Sequence, residues 1–447
     1  MRRHEQLSLD QPWIAHPHAW ELATISGILD SNPGMAEAVA QDLLAGVANP
    51  HTGSRGMSGD QVLRVLIVKQ MNGFSYEQLH FHLLDSASYR TFCRFGALEK
   101  VPARSTLAEN LKKVRPQTLE RINRLLLSYA AVQGVEKGRK VRIDSTVVET
   151  NIHPPTDSSL LWDGVRVLTR LLGEAREVCG FSEWSDHRRR AKRRALAVQN
   201  AKAHEARLSA YRDLLQATRR TVGYAQGALA ALSAQAGAAG TAPEGLREEL
   251  EEMLLWVGMV IDQTERRVLW GEVVPAEEKV VSLFEPHTDI ISKEKRETQF
   301  GHKINLTGGA SGLILDCVIE SGNPADSTRA VPMLERQCEI YGRPPRQASF
   351  DGGFVSKPNL RAAKQLGVED VCFTKRRGLA VLEMVRSSWV YKRLRDFRAG
   401  VEGLISYLKR AFGLDRCTWN GDLSFQSYVW ASVLSANLLT LARHLLS

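Results

Sequence analysis

The chain is poor in the features that mark several common protein classes. Its six cysteines, Cys93, Cys179, Cys317, Cys338, Cys372 and Cys417, show no C-x-x-C spacing. That argues against a zinc site or a disulfide framework and fits a reducing cytosol. The charged start MRRHEQLSLDQPW has no apolar signal core, so no secretory signal is expected. The most apolar stretch, Tyr428 to Leu446, is broken by Ser432, Ser435, Asn437 and Arg443. It is too polar for a membrane span and reads as a buried C-terminal helix. There is no G-x-x-x-x-G-K-[ST] loop for nucleotide hydrolysis and no H-E-x-x-H helix for zinc proteolysis. No tyrosine sits among clustered arginines and histidines as a recombinase nucleophile would.

What the chain has in excess is positive charge: 59 Lys and Arg against 50 Asp and Glu, a net +9 over 447 residues. A basic excess favours a polyanionic partner, most commonly nucleic acid. The length suits two to four domains with substantial cores.

Three acids carry the chemistry. Asp144 lies in KVRIDSTVVET and Asp351 in RQASFDGGFV, each a short run rich in Val, Ile, Ala and Phe broken by the acid as at the exit of a β-strand. The first strand nevertheless runs on through Thr146, Val147 and Val148 until Pro154 and Pro155 stop it. Glu402, in FRAGVEGLISYLKR, sits in a helical pattern. Two carboxylates at strand ends and one on a helix can converge on a pair of divalent ions, as in-line displacement at phosphate requires. An aspartate at a strand end can equally start a turn. Around Glu402 the spacing R-x3-E-x6-K puts Arg398, Glu402 and Lys409 along one helix face. Phe397, Val401, Leu404, Leu408 and Phe412 fill the other. The charged face suits a metal-binding Glu flanked by phosphate-binding cations, or a solvated face with i, i+4 ion pairs.

RIDSTVVETNIHPPTDS, SFDGG and R-x3-E-x6-K, in this order, resemble the DDE transposases of bacterial insertion sequences. More narrowly they resemble the branch whose third motif is Y-x2-R-x3-E-x6-K and its loosely classified relatives, from about Gly59 to the C-terminus. One departure is Arg395, which stands where that branch has Tyr. The resemblance implies a ribonuclease H-like α/β catalytic core whose Asp144, Asp351 and Glu402 hold two Mg²⁺ (or Mn²⁺) ions. It further implies a DNA substrate, comprising the element's terminal inverted repeats and target DNA, and a homodimer or higher oligomer at synapsis. Cytoplasmic location follows from the same likeness. A nuclease on the same core that cuts without joining, or a catalytically dead DNA-binding relative, would share the motifs.

The remaining pattern is mostly helical. Residues 1–138 read as a helical DNA-binding or assembly domain, with capping boxes at Ser75–Gln78 and Thr106–Glu109. A helix from Ser105 to Val114 would present Asn110, Lys112 and Lys113 to DNA if the unit is of helix-turn-helix type. The interval from Asp144 to Asp351 is far longer than that from Asp351 to Glu402, so a large insertion separates the first two acids. Residues 158–279 carry it. Leu208, Leu215, Val222 and Leu229 recur at sevens, and Leu246, Leu250, Met253, Val257 and Val260 form a second stripe. This reads as a long, coiled-coil-like antiparallel hairpin. Phe181–Arg220 holds eleven cations against four acids, and Glu244–Arg267 three against seven. The densest positive patch, Arg188, Arg189, Arg190, Lys192, Arg193 and Arg194, is a candidate for the DNA backbone or an ordinary solvated helix end. The core is expected over 139–157 and 280–447, in the order β-β-β-α-β-α-β-α. His302 and Lys303 near its second strand are either phosphate contacts or strand-edge polar residues.

Overall fold

The computed structural model describes residues 13–49, 52, 56–96, 99–235, 241–292 and 297–447. Two compact units divide the chain: Met1–Glu149 with His302–Ser447, and Thr150–Gly301. Six strands occur among the described residues: β1 (Lys140–Glu149), β2 (Asp289–Ile291), β3 (Gln299–Gly308), β4 (Ile314–Ile319), β5 (Gln347–Phe350) and β6 (Asp370–Phe373).

In the first unit the sheet runs in the order β4-β3-β1-β5-β6. β1, β5 and β6 are parallel, and β4 returns antiparallel to β3. Helices Ala330–Tyr341 and Lys357–Gln365 connect β4 to β5 and β5 to β6. The long helix Ser388–Ala411 follows β6 and packs on β1, β5 and β6. This is the element order expected for a ribonuclease H-like core. As Thr146, Val147 and Val148 lead one to expect, β1 continues past Asp144, to Glu149. What ends before Asp144 is its pairing with β5, whose last partners are Ile143 and Phe350. Asp144 and Asp351 therefore each stand one residue beyond the same rung. Parallel strands place equivalent residues side by side, so the two acids start at one level of the sheet.

The N-terminal helices belong to the same unit. Gly59–Asn72 is capped by Ser58 with Gln61, and Tyr76–Asp85 by the expected Ser75–Gln78 box. Gly73, at φ 63°, closes the first of these helices in the left-handed conformation that glycine adopts without strain. The box expected at Thr106–Glu109 is absent. The helix starts earlier, at Arg104, with Ala103 in the capping position, so Thr106 lies inside it. Asn110 is buried and donates to the Thr106 carbonyl at 2.7 Å, so it is not offered to a ligand, whereas Lys112 and Lys113 are exposed.

The apolar C-terminal segment forms the helix Asp422–Leu446, the one described helix long and apolar enough to cross a membrane. It packs instead against Pro17–Asp30, Gly59–Asn72, Pro116–Val132 and β4. The polar residues that interrupt it are anchors. Asn437 accepts from the Ile314 N–H at 2.8 Å and donates to the Ile314 carbonyl at 2.7 Å. The Ser432 hydroxyl accepts from Gln70 at 2.7 Å. Buried polar groups paired in this way fix a register that apolar packing alone leaves loose.

In the second unit, the segment expected to be a two-armed hairpin contains four long helices: Asp157–Cys179, Arg188–Asn200, His204–Gln235 and Thr241–Thr264. The first packs on each of the other three. Both predicted apolar stripes are there, the first from Leu215 onward, since Leu208 lies outside the core. The difference arises because Leu160, Leu161, Val165, Leu168, Leu171 and Leu172 of Asp157–Cys179 share their core.

Lys69 is buried beside the rings of Tyr76 and Trp419, at 4.9 and 5.5 Å. Burial depresses its ammonium from 10.5 to about 8, and Cys417 offsets little of this. A lysine with a lowered folded pKa costs stability below about pH 8, and the cost fades as pH rises toward 10.5. Lys69→Met should therefore stabilise the protein by roughly 1–2 kcal/mol at neutral pH, the burial cost less the two ring contacts. Urea denaturation of both proteins should show the gap narrowing between about pH 8 and 10.

Candidate active site

The helix Ser388–Ala411 reaches the sheet because its near side is thin. A Cβ at Gly400 would collide with the Arg142 guanidinium, and one at Gly308 would lie 2.9 Å from Leu404 Cδ2. Ser349 of β5 donates to the Leu394 carbonyl at 3.0 Å, and the Tyr391 phenol to the Phe373 carbonyl at 3.0 Å. Arg142 of β1 donates to the Phe397 carbonyl at 3.2 Å. Val401, Leu408 and Phe412 are buried on the face predicted to be apolar. With the helix held in this way, Arg398 and Glu402 stand over the level of Asp144 and Asp351.

One guanidinium joins all three acids. Arg398 Nη2 lies 2.6 Å from Asp144 Oδ2 and 3.3 Å from Asp351 Oδ1, and Nη1 lies 2.6 Å from Glu402 Oε1. The side chains grade outward, from 12% exposed at Asp144 to 42% at Asp351 and 69% at Glu402. Burial pushes the Asp351 carboxyl up, but the Gly352 N–H, Arg398, Thr374 and Lys375 together hold it below the usual carboxylate range. Beside Glu402 a cleft of about 530 Å³ is bounded by Ser145, Thr146, Lys409, Arg410 and Asp415. Lys409 faces this cleft and pairs with Asp415 at 3.2 Å.

Two comparisons bear on this arrangement. Residues 13–113 match the family model described as Transposase domain (DUF772), and residues 280–438 match that described as Transposase DDE domain. The chain belongs to the DDE transposases of insertion sequences. Asp351 and Glu402 lie inside the second match and Asp144 lies in neither. No curated protein and no solved structure matches the chain. Family membership implies a ribonuclease H-like fold and dependence on a divalent metal. The residues present fit such an ion: three carboxylates, hard oxygen donors, gather around one cationic group.

The other candidates divide. Arg395 is exposed one turn before Arg398, and no phenol replaces the expected Tyr, since that of Tyr391 is tied to Phe373. His302 and Lys303 do not face outward as phosphate contacts would. His302 is buried with its ring edge toward Phe425, 4.7 Å between centroids. Lys303, 3% exposed, donates to the Pro324 carbonyl at 2.7 Å and pairs with Asp326.

In the second unit the arginine cluster opens the helix Arg188–Asn200, which buries Ala191, Ala195 and Val198. That apolar stripe confines the cations to part of the helix circumference. Arg188 pairs with Asp186, and Arg190 and Arg194 pair with Asp213, whereas Arg189, Lys192 and Arg193 are exposed and have no ion pair among the described residues.

A set of cations near the acids escaped the sequence reading. Lys375, Arg376, Arg377, Lys392 and Arg393 are exposed without an ion pair among the described residues, as is Arg395. Trp389, 65% exposed, carries the Arg393 guanidinium 4.9 Å from its ring centroid. This stretch begins next to the acids, since Thr374 donates to Asp351 at 3.1 Å. The KRR run at 375–377 and the cations of KRLR at 392–395 were the available signal.

Breaking a buried ion cluster from one side leaves uncompensated charge. Arg398→Ala should lower the unfolding free energy by about 3 kcal/mol at neutral pH. Asp351, held low in the native protein, contributes stability above about pH 4 that is lost on acidification. The variant lacks part of that contribution, so urea titrations should show its deficit shrinking below about pH 4.

Proposed function

We propose that this transposase binds the ends of its element and cuts and rejoins DNA at a centre formed by Asp144, Asp351 and Glu402. The observation that carries the reading is the single Arg398 guanidinium in contact with all three carboxylates. When bound there, two Mg²⁺ or Mn²⁺ ions would supply activation of water or a 3′-hydroxyl and stabilisation of the leaving oxygen. The protein's part is to hold three hard donors together and to place cations where the phosphates lie. Asp144 is fixed by its strand, Asp351 by the Gly352 N–H and Thr374, and Glu402 by a helix locked to the sheet.

With metal held by the three acids, the planar fork of Arg398 would be available to a phosphate. Lys409 in the adjoining cleft is placed to act likewise. The exposed cations from Lys375 to Arg395 provide a surface for the strand approaching Asp351, with Trp389 available to stack on a base. Exposed Lys112 and Lys113 support a share of end binding by the N-terminal helices, and synapsis of two ends calls for at least two copies of the chain. Within the family the retained Arg398, Glu402 and Lys409 support the branch with the R-x3-E-x6-K motif, in a variant carrying Arg395. Such a protein acts in the cytoplasm on chromosomal DNA.

Asp144→Ala, Asp351→Ala and Glu402→Ala should each abolish Mg²⁺-dependent cleavage and strand transfer. Affinity for end DNA should stay within about threefold, because binding rests mainly on Lys and Arg at phosphates. Near-native cleavage by any one variant would remove that residue from the centre, and cleavage without joining by the native chain would make it a nuclease.

A second expectation concerns the second unit. Replacing Arg189, Lys192 and Arg193 by Gln should flatten the salt dependence of DNA binding by up to about three units of slope. Replacing the paired Arg188, Arg190 and Arg194 should change it less. Equal slopes for native protein and both triple variants would make the cluster a solvated helix face.

A further inference from the structure

Lys303, Asp326 and Ser145 form a connected group beside the acids that the proposed chemistry does not use. The buried Lys303 ammonium pairs with Asp326 Oδ1, and the Ser145 hydroxyl donates to the same oxygen at 3.0 Å. Ser145 also donates its backbone N–H to Asp144 Oδ1 at 2.8 Å. On the other side, a Cβ at Gly353 would lie 2.7 Å from Asp326 Oδ2, so the turn after Asp351 runs against the same carboxylate. Asn359 fastens the two turns, donating to the Ser327 carbonyl at 2.7 Å and to the Phe354 carbonyl at 2.8 Å. Asp326 thus touches the residue after Asp144 and the turn after Asp351.

A buried ammonium requires a counter-charge, and balancing Lys303 could be the whole purpose of Asp326. Two facts go beyond that purpose. The oxygen that pairs with Lys303 also takes the Ser145 hydroxyl, next in the chain to Asp144. The other oxygen faces a turn that only glycine lets approach so closely. With Oδ1 committed to two donors, Asp326 is better suited to orient main chain than to ligate an ion. We propose that Asp326 is a positioning residue, with Lys303 as its fixed counter-ion, that sets the separation of Asp144 and Asp351 through Ser145 and Gly353. The proposal rests on the reading of Asp144 and Asp351 as metal ligands.

Groups that orient ligands are worth about 10- to 100-fold in metal affinity. The test is Mn²⁺ titration by calorimetry of the full-length protein, with steady-state cleavage measured in parallel. Asp326→Ala should weaken Mn²⁺ binding by at least about tenfold and lower kcat with little change in KM for DNA. Ser145→Ala, which leaves the Lys303–Asp326 pair intact, should keep native thermal stability yet weaken Mn²⁺ by about three- to tenfold. A purely structural ion pair would not show that second effect, so native Mn²⁺ affinity in Ser145→Ala overturns the proposal. Should Asp326→Ala fail to fold, Ser145→Ala and Asp326→Asn still decide, the latter keeping an acceptor for Ser145 while losing the charge. Asp144→Ala is the control. Native Mn²⁺ affinity there defeats the parent reading, whereas its loss alongside native affinity in Ser145→Ala defeats this proposal alone.

Discussion

The geometry of the acidic centre depends on one buried cation between three carboxylates. Like charges at this separation repel, and burial of Asp144 removes the water that would otherwise screen them. Arg398 resolves the conflict because a planar guanidinium offers several donors in fixed directions. It can do so only where the helix backbone comes close to the sheet, which is why Gly400 and Gly308 face their neighbours. A lysine at position 398 would bring one charge but no fork, and a bulkier residue at 400 would push the fork away. Asp326 with Lys303 repeats the same solution one layer out, a carboxylate held by a buried cation.

The rest of the first unit supplies the rigidity this requires. The C-terminal helix joins the N-terminal helices to β4 through a few buried polar contacts, those of Asn437 with Ile314 and of Ser432 with Gln70. Arg336 adds an ion pair from Asp316 of β4 to Glu120, at 2.5 and 2.9 Å. Deeper in the N-terminal helices Arg64 is fully buried yet satisfied by Asp30, Asp60, Ser26 and the Phe92 carbonyl. Removing one partner from such a group costs far more than the pair contributes. The N-terminal helices are thereby tied to one arrangement on the sheet.

In the second unit, density of charge along the chain is a poor guide to charge available for binding. Six cations fall within a single stretch, yet Asp186 and Asp213 claim three of them. The alanines among them, Ala191 and Ala195, mark the face that packs. Near the acids the opposite holds: shorter cationic runs at 375–377 and 392–395 stay exposed and unpaired among the described residues.

Local pattern was enough for much of this protein. The R-x3-E-x6-K face, the strand and helix order and the Ser75 cap could all be read directly, because each depends on neighbours a few residues away. The family itself was legible from the same motifs. Tertiary structure decided the rest. It showed that Asp144 stands where the pairing of its strand with β5 ends, since pairing depends on a strand far along the chain. It turned Asn110, His302 and Lys303 inward, because burial is a property of what packs against a residue and not of its own segment. It replaced a two-armed hairpin by four helices, because a heptad stripe specifies a partner surface without naming the partner. And it brought Arg398 between acids far apart in the chain, since only the closed fold sets charges from β1, the turn after β5 and the helix Ser388–Ala411 within reach of one guanidinium.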